Sequence, residues 1–139
     1  MRIIEEDKRL IVRLQKGEEI VESLKKIIKE YNLVGGSVVG IGASDDIEVG
    51  CYNSATKEFK STTFNDDYEI TSLIGNVSRK DGEPYVHLHI NFSDEEMHTR
   101  GGHLNRAVIS VTCELFIDFI DEEIGRYLDE ETGIYFWDI

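Results

Sequence analysis

Tyr85-Val86-His87-Leu88-His89-Ile90-Asn91-Phe92 is rich in β-formers and sets two histidines two residues apart. On a strand that spacing sends both imidazoles to one face, while Leu88 and Ile90 point to the other. The loop Ser93-Asp94-Glu95-Glu96-Met97-His98-Thr99-Arg100 follows, then Gly101-Gly102-His103-Leu104 at the entry to another strand. If that strand returns antiparallel beside Tyr85 to Phe92, His103 comes alongside His87 and His89. Its continuation, Ala107 to Phe119, carries Val108, Ile109, Val111, Cys113, Leu115, Ile117 and Phe119 and reads as a central strand.

Upstream, Leu10, Val12 and Leu14 mark a strand over Lys8 to Leu14, closed by a turn at Gly17. From Glu18 to Tyr31, Ile20, Val21, Leu24, Ile27, Ile28 and Tyr31 recur at spacings of three and four, which predicts a helix. Asn32 and Gly35-Gly36 punctuate its exit, and Ser37 to Ile41 reads as a buried strand. Strands are predicted over Ile47 to Tyr52, Lys57 to Phe64 and Tyr68 to Ser78, with turns at Asn65-Asp66-Asp67 and at Lys80-Asp81-Gly82-Glu83-Pro84. Gly35, Gly36, Gly40 and Gly42 match neither phosphate-loop spacing and read as turn and close-packing glycines. In the tail, Asp121, Glu122, Glu123, Asp129, Glu130 and Glu131 predict a solvated turn or short helix. The closing cluster Ile134, Tyr135, Phe136, Trp137 and Ile139 is expected to dock on the domain or on a neighbouring subunit.

No linker, repeat or low-complexity tract divides the 139 residues, so one domain over residues 1–139 is expected. A composition of 40% hydrophobic and 31% charged residues is that of a chain that folds in water. With 15 Lys+Arg against 28 Asp+Glu the net charge is −13, which repels phosphate backbones and anionic lipid surfaces. No apolar run approaches the roughly 18 residues of a membrane span. Charged residues interrupt Met1 to Asp7, and Cys51 and Cys113 show no metal or redox spacing. Together these point to a cytoplasmic protein with reduced thiols.

All four histidines fall within the segment from His87 to His103. Three converging imidazoles, His87, His89 and His103, suit Zn²⁺ or a similar borderline ion and leave one coordination position open to water, a small anion or a partner subunit. The competing reading is of half-buried strand histidines satisfied by hydrogen bonds, with His103 capping a turn. His98 is read as a loop residue. Cys113 as a nucleophile beside His103 is set against an inert core thiol, and Glu114, mid-strand, against a structural role.

The segments Tyr85-Val86-His87-Leu88-His89 and Gly101-Gly102-His103-Leu104, with Tyr68-Glu69-Ile70-Thr71-Ser72-Leu73-Ile74-Gly75-Asn76 upstream, resemble the PPC (plants and prokaryotes conserved) domain, also known as an AT-hook-associated DNA-binding domain. The likeness spans about residues 9–119, leaving 120–139 as a docking tail. It implies an α+β fold, a large antiparallel sheet flanked by helices, assembled as a homotrimer. It places the family's histidines at His87, His89 and His103, where some prokaryotic members hold a metal. Its acidic motif position falls on Glu69, linked in plant relatives to protein–protein contact; an exposed strand carboxylate is the alternative. The chain has no Arg-Gly-Arg, the core of the minor-groove AT-hook.

Three functions follow as expectations. The first is a homotrimeric module binding a zinc-like metal or a small ligand through His87, His89 and His103. The second is a metal-dependent hydrolase or lyase at the same histidines, with Glu69, Glu114 or His98 as candidate base. The third, DNA binding, is disfavoured by the charge and the missing hook.

Overall fold

The period of three and four between Ile20 and Ile28 builds α1 (Ile20–Glu30), the one helix of the protein. Glu19 caps it, its carboxylate accepting from Val21 N at 3.0 Å and Glu22 N at 2.6 Å, which satisfies two donors that the first turn leaves unpaired. The same carboxylate accepts from Ala107 N at 3.0 Å, so the cap also ties the helix to the sheet.

The computed structural model describes all 139 residues. Around α1 run β1 (Arg2–Glu6), β2 (Arg9–Gln15), β3 (Gly36–Asn53), β4 (Glu58–Phe64), β5 (Tyr68–Lys80), β6 (Glu83–Ser93), β7 (Thr99–Phe119), β8 (Gly125–Asp129) and β9 (Ile134–Asp138). The first seven strands form one antiparallel sheet in the order β1-β2-β7-β6-β5-β3-β4. β3 also pairs with β7, so β3, β5, β6 and β7 close into a ring. The fold is thus α+β, a single domain of one helix on a seven-stranded sheet.

Four elements depart from the sequence reading. β1 was not expected: Arg2, Glu5 and Glu6 mask its two isoleucines, as charge commonly does on an edge strand. Ser37 to Ile41 and Ile47 to Tyr52, read as two strands, are halves of the 18-residue β3. Register shifts between Gly40 and Gly42, Gly42 and Ser44, and Ser44 and Asp46 hide its alternation. These bulges bend β3, so that its first half pairs with β5 and its second with β4. The sheet is flanked by one helix, where the resemblance implied several. Of the turn or short helix read for the acidic tail the structure has exposed turns, and the departure is the pair of strands they flank and join, β8 and β9, a separate two-stranded hairpin.

Ile20, Leu24, Ile27 and Ile28 of α1 pack into one core cluster with Leu10, Leu14, Leu88, Ile90, Leu115 and Ile117 from the sheet. Burying each such side chain stabilises the fold by about 1.5–3 kcal/mol. Because Leu88 and Ile90 take the core side of β6, strand alternation puts His87 and His89 on the outward side. The tail returns to the domain at Arg79 N to Ile124 O (2.8 Å) and Ile124 N to Val34 O (3.1 Å), which seats β8 against β5. No helix is long and apolar enough to cross a membrane.

Candidate metal centre

His89 of β6 lies directly opposite His103 of β7, and His87 stands two residues along β6 on the same face. The ring centroids are 5.2 Å apart for His87 and His89, 5.1 Å for His87 and His103, and 5.6 Å for His89 and His103. One ligand nitrogen from each lies within 4.8 Å of the others. A tetrahedral ion bound at about 2.1 Å holds its ligands about 3.4 Å apart, so modest side-chain rotation closes the three around Zn²⁺. The residues present fit such an ion.

The glycines before His103 have a steric reason. A Cβ at Gly102 would sit 2.8 Å from Gly50 O, and one at Gly101 would sit 2.6 Å from Ile90 O. Their absence lets β7 run close to both β3 and β6 where His103 enters the cluster. Phe59 of β4 packs edge-on against His103 at 5.8 Å, giving the site an apolar wall.

His87 and His103 are half-buried and His89 is exposed. Burial, followed by the charges of His103, His89 and Arg126, pushes the His87 pKa from the ordinary 6.5 down to about 4. His103 is also lowered, first by burial and then by His89. Both are therefore neutral imidazoles near neutral pH, the form that binds a metal. The depressed values also bear on stability, since between about pH 4 and 6.5 the unfolded chain binds the His87 proton that the folded chain refuses. The metal-free protein is expected to keep this contribution above pH 6.5 and to lose it as pH falls toward 4. Urea midpoints across that range, compared with His87→Gln, check this: the variant should show a shallower acid loss, and parallel curves would contradict it.

The other candidates lie elsewhere. His98 is exposed in the β6–β7 turn, its backbone N donating to Asp94 Oδ1 at 2.8 Å. Asp94, Glu96 and His98 form a second grouping, but Arg100 Nη1 already holds Asp94 at 2.9 Å. Cys113 is buried between Leu14 and Gly42, its thiol pushed up to about 12 by burial and then by Glu114, so it stays protonated. Glu69, the second residue of β5, lies opposite Ser93, five positions from Ile74, the partner of His89, and so about 17 Å along the strand from the cluster. It lines a groove of about 500 Å³ with Ile41, Val111, Thr112 and Glu114.

Sequence reasoning missed Arg126. From β8 its guanidinium reaches β5, donating from Nε to Ser78 Oγ at 2.7 Å and from Nη2 to Asn76 Oδ1 at 2.8 Å. Asn76 is the strand partner of His87, which places Arg126 at the edge of the cluster. No local pattern signals this, because the tail's docking brings it there.

Residues 1–121 match the family model of the Plants and Prokaryotes Conserved (PCC) domain. A proposed DNA-binding protein from Bacteroides thetaiotaomicron is similar in structure, with a TM-score of 0.96 and 29% identity, covering 99% of this chain and 96% of its own. A metal-containing protein from Archaeoglobus fulgidus is 31% identical at a TM-score of 0.87, covering 99% of both chains. Acetolactate decarboxylase from Bacillus subtilis shares the fold at 17% identity and a TM-score of 0.59, over 84% of this chain and 54% of that one. No curated protein matches the chain.

Proposed function

Because the chain belongs to the Plants and Prokaryotes Conserved domain family, we propose that it is a cytoplasmic homotrimeric binding module holding one Zn²⁺ per subunit on His87, His89 and His103. The observation that carries this reading is the convergence of three imidazoles on one outward face, with two of them held neutral by burial. The metal-containing Archaeoglobus relative supports it. When bound, the ion would supply a Lewis-acidic position open to a fourth ligand. Titration of Zn²⁺ into metal-free protein tests the reading: saturation near one ion per subunit is expected, and no heat above buffer dilution would reject it.

A binding role fits the site better than catalysis. The charges acting on His87 are His103, His89 and Arg126, with no carboxylate among them, and Glu69 and Glu114 line a separate groove. Glu69 is assigned to interaction rather than to acid–base work. DNA is not proposed as a partner, since 28 acidic side chains against 15 basic ones oppose a polyanion.

The trimer reading draws on a row of outward residues across the sheet. Ile4 pairs with Ile11, Ile11 with Phe116, Phe116 with Val39, Val39 with Ile74, and Ile74 with His89. Ile4, Val39, Ile74 and Phe116 are all exposed in the single chain. An exposed apolar band of this kind supports a subunit contact, and it ends at the histidines. The tail 120–139 is assigned to docking on the domain through Ile124, Arg126 and Tyr135, and its exposed Ile134, Phe136, Trp137 and Ile139 to a neighbouring subunit. Phe116→Glu is expected to convert trimer to monomer in sedimentation analysis while the far-UV circular dichroism is kept. A wild-type protein that sediments as a monomer would contradict the assignment.

A further inference from the structure

The half-buried guanidinium of Arg126 lacks a partner of opposite charge. Arg9, Arg100 and Arg106 each pair with an aspartate, at 2.6, 2.9 and 2.5 Å, yet none of the ion pairs in the protein includes Arg126. Lys80 is likewise unpaired, with Nζ 3.8 Å from the Tyr135 ring centroid. Ten of the 15 Lys and Arg side chains stand outside the ion pairs, but Arg126 is the one whose burial pulls its guanidinium below the ordinary arginine range. Holding a charge partly out of water without a counter-ion is costly, and a bound anion offsets that cost.

The neutral groups around Arg126 fix its position. Nε donates to Ser78, Nη2 to Asn76 and Nη1 to Tyr135 O at 2.9 Å, while the guanidinium carbon stands 4.3 Å from the Tyr85 ring centroid. A guanidinium has five N–H donors. Three are used, and one remains on each Nη. Tyr85, His87 and His89 alternate along the same face of β6, and Asn76 and Ser78 are the strand partners of His87 and Tyr85. Arg126 therefore lies over the face that carries the histidines, one residue pair from them.

We propose that the ligand of the histidine cluster is a small carboxylic acid whose carboxylate is received by the two remaining N–H groups of Arg126, while its other end meets the metal position. The inference rests on the metal reading above and names the ligand class of that site. Planar N–H donors on neighbouring nitrogens match a carboxylate in shape and charge, and such charge-assisted bonds are about twice as strong as neutral ones. Arg126 lies beyond the residues 1–121 that match the family model, so the tail hairpin contributes this recognition.

The rival account is that Arg126 only staples the hairpin to β5. Succinate, with a carboxylate for each end of the site, separates the two accounts when compared with its neutral analogue succinamide by calorimetry on zinc-loaded protein. Succinate should bind the wild type and bind Arg126→Gln at least about tenfold more weakly, while both proteins still take up zinc at the same ratio per subunit. Arg126→Lys, which keeps the charge and loses the fork, should fall between. Equal succinate affinity in wild type and Arg126→Gln, or wild-type affinity for succinamide matching that for succinate, would overturn the proposal. The succinate–succinamide comparison on metal-free wild-type protein, where no ion can favour the carboxylate, keeps the proposal testable even if both variants fail to fold, and equal affinities there would overturn it. Running the same titrations without metal keeps the two readings apart. Arg126-dependent succinate binding in a protein that takes up no zinc would sink the metal reading alone, and zinc uptake with Arg126-independent succinate binding would sink the carboxylate proposal alone.

Discussion

His87→Ala is expected to weaken Zn²⁺ binding by about a hundredfold or more, a functional effect that only the other ligand histidines should match. Zinc affinity in small protein sites corresponds to about 10–16 kcal/mol, so each of three protein ligands accounts for several kcal/mol, or at least about two powers of ten. His87 is central because its ring neighbours both of the others, at 5.2 and 5.1 Å. His103→Ala should behave similarly, whereas His98→Ala, in the exposed turn, should bind zinc as the wild type does. Competition against a chromophoric chelator measures all three. Equal loss in His98→Ala and His87→Ala would show that zinc binding is not localised in the cluster. Unfolding is not expected to confuse the result, since His87 points away from the core that Leu88 and Ile90 enter.

The largest stability effect is expected from Phe92→Ala. Phe92 is fully buried at the end of β6, with the Phe64 ring 5.2 Å and the Tyr68 ring 5.1 Å away, both in edge-to-face arrangements. These three rings join β4, β5 and β6 at one end of the sheet. Removing the central one should cost about 3–5 kcal/mol through lost burial and the cavity left behind. Against a total of about 5–15 kcal/mol for a domain, that is a large share. A urea midpoint shifted accordingly, with unchanged slope, is the expected result. A shift equivalent to less than about 1 kcal/mol would mean that the neighbouring rings collapse into the space.

The parts of the fold legible in the sequence are those where a single period runs unbroken. The helix from Ile20 to Ile28 and the alternation from His87 to Ile90 belong here, and the latter already placed two imidazoles on one face. The approach of His103 was legible too, because the short loop from Ser93 to Arg100 leaves few ways for the chain to return, and the register found is His89 opposite His103. What stayed hidden depends on long-range geometry. The continuity of β3 through Asp45 and Asp46 needs bulges that erase the alternation. The closure of the sheet through β3 and β7 leaves no local trace. The place of Arg126 depends on a hairpin whose acidic lead-in resembles any solvated turn, and its approach to Asn76 spans 50 residues of sequence.

Elemental analysis of tag-free protein, wild type beside His87→Ala, tests the central claim most directly, with the metal-to-subunit ratio read at the measured oligomeric mass. Zinc near one per subunit in the wild type and near zero in the variant is the predicted result. No metal in either protein after incubation with Zn²⁺, or equal metal in both, would contradict a metal centre on His87, His89 and His103.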